Sequence, residues 1–168
     1  KTNKMISILK SKGIKLLIHQ PSYSLINRWI EKDLTKTLIK KGVGCIAFSP
    51  LAQGFLSNKY LKGIPKVSRV NENSSFSKDL ITKKNTKIIN ELNKIAKRRN
   101  QSLSQMAIAW VLNNRAITSA LIGARTVKQL KENLAALDNL EFSKKEIKEI
   151  NKTAKEGDIN IWAPSSAH

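Results

Sequence analysis

One short pattern occurs twice near the start of the chain, and it limits the possible folds more than any other feature. In each copy a helical stretch ends at a glycine and an apolar run follows: Ser-Lys-Gly-Ile-Lys-Leu-Leu-Ile (11–18) and Lys-Lys-Gly-Val-Gly-Cys-Ile-Ala (40–47). Glycine often follows a helix because it adopts the left-handed conformation at little cost. An apolar run without alternation is typical of a strand buried on both faces of a parallel sheet. The pattern therefore predicts an α/β fold.

The rest of the chain continues the alternation of helices and strands. The predicted helices cover residues 4–12, 31–41, 80–99, 102–113, 126–137 and 143–155, and the predicted strands cover residues 14–19, 43–48 and 118–122. Ser102, Thr126 and Ser143 are each followed three residues later by Gln or Glu, which predicts a capping box at three helix starts. A long segment, 50–77, separates the second strand from the next helix, and loops of this length usually have a function. The alternation predicts parallel strands joined by right-handed crossovers.

The small number of strands suggests that the fold is incomplete. Only three strands are predicted, and all three have the composition of central strands. A parallel sheet needs both of its faces and both of its edges covered. We therefore expect the chain to be a piece of a larger α/β fold that begins inside a longer reading frame. We also expect self-association through its open edges.

Composition and charge exclude several classes of protein. The chain has 40% hydrophobic and 26% charged residues, which is a globular composition, and no apolar run approaches the ~20 residues that span a membrane. A single cysteine, Cys45, excludes an internal disulfide and fits a reducing cytoplasm. The net charge of +19 attracts phosphates, but the excess is mostly Lys along helix faces and only 5% of residues are aromatic. We therefore expect no dedicated nucleic-acid binding.

Polar residues follow all three predicted strands, at the end where α/β barrels place their sites. The surrounding stretches resemble the aldo-keto reductase family. They are Leu-Ile-His-Gln-Pro-Ser-Tyr-Ser-Leu-Ile-Asn-Arg-Trp (17–29), Ile-Ala-Phe-Ser-Pro-Leu-Ala-Gln-Gly (46–54) and Leu-Lys-Gly-Ile-Pro-Lys-Val-Ser-Arg (61–69). The branch that they resemble most contains bacterial L-glyceraldehyde 3-phosphate reductases and the β subunits of voltage-gated potassium channels. The resemblance covers essentially all 168 residues and implies the C-terminal portion, strands six to eight, of a (β/α)8 TIM barrel. Residues 1–168 would then be a partial domain that lacks the N-terminal half of the barrel.

The resemblance also implies a set of residues that bind NADPH. Gln20 would hydrogen-bond the nicotinamide carboxamide, and Phe48 would lie under the nicotinamide ring. Lys59 and Arg69, on the long loop, would close over the cofactor phosphates as a point charge and a planar fork. The turn after the second strand would hold the pyrophosphate, and its residues are Ser49, Pro50, Leu51, Ala52 and Gln53.

The segment after the third strand has a physical reason to bind an anion. Gly123-Ala124-Arg125 leads directly into a capped helix, whose free N–H groups and positive end favour a phosphate. With the resemblance, Arg125 would pair with a 2′-phosphate, which favours NADPH over NADH. Gln129, Glu132 and Asn133 would lie on the helix face that meets the adenosine.

The residues that would perform the reaction are not found in this chain. Members of the family reduce carbonyls with a hydride from NADPH while a Tyr, tuned by Asp, Lys and His, protonates the oxygen. The resemblance places those four residues on strands two to four, and a Ser-Asn pair on strand five. Tyr23 and Tyr60 have no matching Lys and Asp partners, and His19 is expected to be structural. No Cys/His cluster suggests a metal.

Two kinds of function are compatible with this sequence. The first is an NADPH-dependent aldehyde reductase, acting on small carbonyl substrates such as a triose phosphate once an N-terminal half completes the barrel. This chain would supply the grip on the cofactor and no catalytic residue. The alternative is a cofactor-binding or interaction module without turnover, or a non-functional remnant of a truncated gene. The sequence does not distinguish a module without turnover from a non-functional remnant.

Overall fold

A computed structural model describes residues 1–61 and 82–154 of the chain. Its α-helices are α1 (Thr2–Ser11), α2 (Leu34–Lys41), α3 (Lys83–Arg98), α4 (Leu103–Leu112), α5 (Val127–Leu134) and α6 (Lys144–Thr153). Its strands are β1 (Ile18–His19), β2 (Gly44–Phe48) and β3 (Ser119–Leu121). Short 3-10 turns occupy Trp29–Glu31, Ala52–Gly54, Asn58–Tyr60 and Ala135–Asp138.

The three strands form a parallel sheet in the order β1-β2-β3. Ile18 is in register with Gly44, and Phe48 is in register with Leu121. The chain after β1 stays beside β2, because the Phe48 N–H donates to the Pro21 carbonyl at 3.0 Å and the Tyr23 N–H donates to the Phe48 carbonyl at 3.1 Å. Parallel neighbours need long crossovers, which the helices supply. The predicted α/β fold with parallel strands is confirmed.

Most helix ends lie close to where the sequence predicted them, and local chemistry explains why. Gly42 ends α2 with a left-handed φ of 62°, and its N–H donates to the Ile39 carbonyl. Capping boxes start α4, between Ser102 and Gln105, and α6, between Ser143 and Glu146. Each box satisfies two backbone donors that would otherwise lack a partner at the helix start.

The core lies on one side of the sheet, between β2 and the helices that cover it. α3 packs against α4 and α6, and α2 packs against β2. The side chains that form its centre are fully buried: Leu38, Cys45, Ala47, Leu92, Leu103 and Ile150. Below, the part of the molecule made of β2, α2, α3, α4 and α6 is called the closed side.

The expectation that all three strands are buried on both faces is wrong, because β2 is buried on one face only and β1 and β3 are more exposed than β2. Ile18 of β1 is 53% exposed, the preceding Leu17 is 65% exposed, and Leu121 of β3 is 52% exposed. The reason is position, since β1 and β3 are the two edge strands of the sheet. Helix α1, which packs against α2, has no buried residue. The apolar runs therefore predicted strands correctly but not their burial.

Several predicted boundaries also differ from the structure. The first strand was expected over 14–19 but forms ladder pairs only at Ile18–His19, and the helix expected from residue 31 is a 3-10 turn followed by α2. The helix expected through residue 137 becomes a 3-10 turn after Leu134. The predicted ends at residues 80 and 155 lie outside the described residues.

Candidate cofactor-binding site

One face of the sheet is left open by the helices. Side chains alternate along β2, so Cys45 and Ala47 are buried against the helices while Ile46 and Phe48 lie on the other face, partly exposed. Residues in register on parallel strands point to the same side. Register with β2 therefore places Ile18 and Leu121 on the same face as Phe48. We call this surface the open face.

Gln20 and Phe48 lie at the same end of the sheet. Gln20 follows β1 and is exposed. It is two residues after Ile18, so its side chain points to the same side as that of Ile18, toward the open face. Phe48 is the last residue of β2 and bridges to Ser22. The carboxyl ends of parallel strands meet at one edge, so the fold brings together the two residues assigned to the nicotinamide.

The turn that follows β2 has an unusual backbone. Ser49, Ala52 and Gln53 have φ values of 55°, 46° and 58°, the left-handed conformation that costs a non-glycine residue about 1–2 kcal/mol. Among the described residues, Asn100 is the one other non-glycine residue with a positive φ. Such strain concentrates at ligand-binding sites, where the surrounding structure maintains it. No feature of the sequence predicted this strain, because the residue types in the turn are ordinary ones.

Internal hydrogen bonds hold the strained turn in place. The Ala52 N–H donates to the Ser49 carbonyl at 2.9 Å, and the Leu56 N–H donates to the Leu51 carbonyl at 3.1 Å. Phe55 and Leu56 are fully buried directly after the turn and anchor it to the core. The backbone predicted to hold a pyrophosphate is therefore a fixed shape and not a free loop.

At the start of α5, the structure differs from the predicted capping box in one bond. The Thr126 hydroxyl accepts from the Gln129 N–H at 3.2 Å, as predicted. The Gln129 side chain, however, accepts from the Arg125 N–H at 2.9 Å and not from the N–H of Thr126. An oxygen acceptor therefore lies against the backbone N–H where a phosphate oxygen was predicted. The Arg125 side chain is exposed beside it.

The residues predicted to face the adenosine have different accessibilities on α5. Glu132 is exposed, Gln129 is partly exposed and Asn133 is buried. The Glu132 carbonyl accepts from the Gln105 side-chain amide at 3.1 Å, a bond that links α5 to the capping box of α4. Helix α5 is thus held by α4, while part of its predicted binding side remains accessible.

The structure describes one of the two cations predicted on the long loop. Lys59 is exposed in the 3-10 turn Asn58–Tyr60, and Tyr60 is buried with its ring centroid 5.9 Å from that of Phe55. The buried Tyr60 fixes the point from which Lys59 extends. Arg69 lies outside the described residues.

Tyr23 is buried and belongs to a partly buried hydrogen-bond network that sequence reasoning did not identify. Its hydroxyl donates to Glu31 Oε1 at 2.7 Å and accepts from the Asn114 amide at 3.1 Å. Arg28 makes two bonds to the Glu31 carboxylate, at 2.9 and 2.8 Å, and lies 4.9 Å from the ring centroid of Trp110. Burial raises the pKa of Tyr23 well above its ordinary value. The hydroxyl is neutral and fully engaged, so it is poorly suited to donate a proton to a substrate.

His19 is half-buried on β1, on the side opposite to the open face. Burial lowers its pKa from the ordinary value, because the charged imidazolium loses hydration. The lowered pKa favours the neutral ring, in keeping with a structural role.

Within residues 1–61 and 82–154, no group of three or more His, Cys, Asp or Glu side chains is arranged to hold a metal ion. In the same part of the chain, none of the helices combines the length and hydropathy that a membrane crossing requires.

Comparison with known proteins gives a consistent result. The family model described as "Aldo/keto reductase family" matches residues 1–155. L-glyceraldehyde 3-phosphate reductase of Escherichia coli (strain K12) is 47% identical over 171 residues, which cover 99% of this chain and 49% of that protein. The protein of the same name from Escherichia coli O157:H7 is 46% identical over 171 residues, which again cover 99% of this chain and 49% of that protein. The chain thus spans about half the length of the curated relatives that it matches. On the family match and on both identities, this chain belongs to the aldo/keto reductase family.

Proposed function

We propose that this chain is the cofactor-binding half of an NADPH-dependent carbonyl reductase. In this proposal β1, β2 and β3 are strands six to eight of a (β/α)8 barrel, and the open face is part of the barrel interior. The observation that carries the proposal is the common location of Gln20, Phe48 and the Gly123–Arg125 segment at the carboxyl ends of three adjacent parallel strands. Sites of α/β barrels lie at that end.

The site has the chemistry that a phosphorylated dinucleotide needs. The exposed Arg125 and the N-terminus of α5 together favour an anion, and a guanidinium suits the bidentate binding of a phosphate. The Gln129 oxygen, 2.9 Å from the Arg125 nitrogen, occupies a position that a phosphate oxygen could take. The chain's residues therefore fit a cofactor with a phosphate beside Arg125, which favours NADPH over NADH.

The end of the proposed site that would bind the nicotinamide has one aromatic side chain and one amide side chain. Phe48 offers a ring face for stacking, and Gln20 offers both a donor and an acceptor for a carboxamide. The strained turn at Ser49, Ala52 and Gln53 follows β2, the strand between β1 and β3. When bound, NADPH supplies the hydride that reduces a carbonyl carbon. This chain's residues bind and orient the cofactor, and the general acid comes from the other half of the barrel.

The proposed substrate class is a small aldehyde, including phosphorylated trioses. The support is the name of the two Escherichia coli relatives, L-glyceraldehyde 3-phosphate reductase. The net charge of +19 would also attract an anionic substrate.

A chimera tests the proposal. This chain replaces the 49% of the Escherichia coli (strain K12) reductase that it matches, and steady-state reduction of L-glyceraldehyde 3-phosphate is measured with NADPH and with NADH. We expect turnover with a preference for NADPH. Arg125→Ala should raise KM for NADPH about tenfold or more, because a hydrogen bond between charged groups contributes about 1.5–3 kcal/mol, and should change KM for NADH little.

Arg115→Ala is the matched control, since Arg115 is also an exposed arginine but lies before β3. It should leave both KM values unchanged. Equal losses with both cofactors in Arg125→Ala would contradict the assignment of the phosphate. A folded chimera without turnover would contradict the reductase itself.

A further inference from the structure

The segment between β1 and the first 3-10 turn is buried although it contains several polar side chains. Ser22, Ser24 and Asn27 belong to it, and all three are buried. Ser24 and Asn27 lie opposite each other, because the Ser24 N–H donates to the Asn27 carbonyl at 3.1 Å and the Asn27 N–H donates to the Ser24 carbonyl at 3.2 Å. The chain reverses direction here, and we call residues 22–27 the polar turn.

One atom of the polar turn has no protein partner. The Asn27 amide nitrogen donates to the Ser22 hydroxyl at 3.1 Å, but the amide oxygen, Oδ1, accepts no hydrogen bond from the part of the chain that the structure describes. The residue is only 7% exposed, and Oδ1 is closed off from bulk solvent. Exchanging the two amide atoms would leave the nitrogen without a partner instead, so the deficit is the same in either orientation.

Such a deficit is rare in this molecule and costly in general. Among the described residues, Asn27 Oδ1 is the one buried side-chain nitrogen or oxygen without a hydrogen bond. A buried acceptor that gives up its bond to water without gaining another costs free energy. In native proteins such atoms are usually satisfied, by an ordered water where no protein group is within reach. Asn27 Oδ1 therefore requires a donor.

Two hydroxyl groups beside Asn27 offer further hydrogen bonds to a ligand at this place. The Ser22 oxygen accepts from the Asn27 amide and lies 3.4 Å from the Trp29 indole nitrogen, and the Ser24 oxygen accepts from the Ile26 N–H at 3.4 Å. In these bonds both serines act as acceptors, and neither hydroxyl donates to a described residue. Each hydroxyl can therefore still donate one hydrogen bond.

The chemistry of the polar turn selects among small ligands. Arg28 is the one charged side chain among residues 20–30, and it is bound to the Glu31 carboxylate. A divalent cation would need carboxylates to offset its charge, and the polar turn has none. An anion would be repelled by the amide oxygen. A water molecule donates and accepts hydrogen bonds at once, and it matches one free acceptor beside two free donors.

We propose that the polar turn holds one structural water molecule, which donates to Asn27 Oδ1 and accepts from the hydroxyl of Ser22 or Ser24. The water closes the turn from within. Because Ser22 is bridged to Phe48, it also fixes the segment that lies beside Phe48 at the end of the sheet. Its partners include none of the residues assigned to the cofactor, so this proposal does not depend on the proposed NADPH binding.

Oxygen-17 magnetic relaxation dispersion tests the proposal in solution, because it counts long-lived waters and does not detect hydroxyl hydrogens. The measurement compares this chain with its Asn27→Leu variant. We expect the variant to lose the signal of one long-lived water. Asn3→Leu is the matched control, since Asn3 is an exposed asparagine on α1, and it should keep the signal of the parent. Equal signals in the parent and in Asn27→Leu would overturn the proposal.

A high-resolution crystal structure of the unsubstituted chain locates the water, and it decides the matter even if Asn27→Leu does not fold. We expect density for a water about 2.8 Å from Asn27 Oδ1 and within hydrogen-bond distance of Ser22 or Ser24. A protein group that donates to Oδ1 in its place, or no density there, would show that the assignment is wrong.

The stability of Asn27→Leu separates a satisfied amide from an unsatisfied one. Leucine has a similar size and no polar atom. With water bound, the substitution removes a satisfied group and leaves the Ser22 hydroxyl with fewer partners, so the midpoint of urea denaturation should fall. If Oδ1 is unsatisfied in solution, the substitution removes the deficit and the midpoint should rise. A higher midpoint than that of the parent would therefore contradict the bound water, and Asn3→Leu should leave the midpoint unchanged.

Discussion

The strands β1 and β2 begin from nearly the same local sequence and end in very different surroundings. Each follows a glycine that ends a helix, and each is an apolar run. Cys45 and Ala47 of β2 are nevertheless fully buried, whereas Leu17, directly before β1 and on the same face of the sheet, is 65% exposed. The difference is the number of neighbours, because β2 has a strand on both sides and β1 has one. Strand formation is therefore a local property here, and burial is a property of the assembly.

The closed side should contain most of the stability of the chain. Apolar groups stabilise the fold in proportion to the area that they remove from water. The exposed side chains of the two edge strands, such as Ile18 and Leu121, contribute little by this measure, because they stay in water. Three measurements can test this difference between the closed side and the edges.

The largest effect is expected at Arg99, whose side chain is only 2% exposed. It donates to Glu146 Oε1 and to the Glu141 carbonyl, each at 2.9 Å, and its guanidinium lies 3.7 Å from the ring centroid of Phe142. Arg99→Ala should lower the free energy of unfolding by about 3–5 kcal/mol, because removing the buried guanidinium takes hydrogen bonds from both Glu146 and the Glu141 carbonyl. Urea denaturation followed by circular dichroism measures the loss.

The neighbouring arginine is the control for Arg99. Arg98 forms an ion pair with Glu149, but both side chains are largely accessible. Arg98→Ala should cost less than about 1 kcal/mol, as exposed ion pairs do. Equal losses in the two variants would mean that the closed side does not depend on its buried network.

The second measurement compares two leucines directly. Leu92→Ala, in the fully buried face of α3, should cost about 2–5 kcal/mol, the range for cavities in a packed core. Leu121→Ala, at the β3 edge, should cost less than about 1 kcal/mol in the isolated chain. A large loss at Leu121 would show that the edge is already covered in solution, so the comparison would fail.

The smallest effect concerns the pH dependence of stability. Burial opposes ionisation of Glu146, but hydrogen bonds from the Ser143 N–H and hydroxyl, and then from Arg99, outweigh it and lower the pKa of Glu146. A carboxyl whose pKa is lower in the folded state than in the unfolded state, where it is about 4.3, stabilises the folded state at pH values above about 4.3. This contribution is lost as the pH falls through the pKa of the folded state.

Glu146→Gln should therefore be less stable than the parent at neutral pH, and the difference should shrink as the solution is acidified below about pH 4. Urea midpoints at a series of pH values measure it. Lys145→Gln, at the adjacent exposed position, should show no such convergence. A constant difference between Glu146→Gln and the parent at every pH would contradict the proposed role of the carboxylate.

The parts of the fold that were predictable depend on neighbours in sequence. The glycine that ends α2 and the capping boxes at Ser102 and Ser143 act within one turn of a helix, so residue types at fixed spacing were sufficient. Family resemblance, now supported by the match over residues 1–155, supplied the candidate site. The roles assigned to its residues stay predictions.

The features that were missed depend on tertiary contacts. The left-handed turn at Ser49, Ala52 and Gln53 is held by a buried anchor, and ordinary residue types give no sign of it. Arg99 is one of many basic residues in the sequence, and only packing between α3, α4 and the start of α6 separates it from the exposed ones. At Thr126, the predicted bond from the Gln129 N–H to the Thr126 hydroxyl forms, but the Gln129 side chain accepts from the Arg125 N–H and not from the neighbouring Thr126 N–H.

The hydrogen bond between the Arg125 N–H and the Gln129 side chain affects which ligands could bind favourably at the proposed site. Because the amide oxygen already satisfies the Arg125 N–H, an incoming group exchanges one acceptor for another and the number of hydrogen bonds does not rise. A neutral ligand would gain almost nothing from the exchange. An ionised oxygen gains the difference between a charged and an uncharged acceptor, strengthened by the helix end and the guanidinium. In the proposed site, the start of α5 therefore discriminates by charge, and the Arg125 N–H keeps an acceptor when nothing is bound.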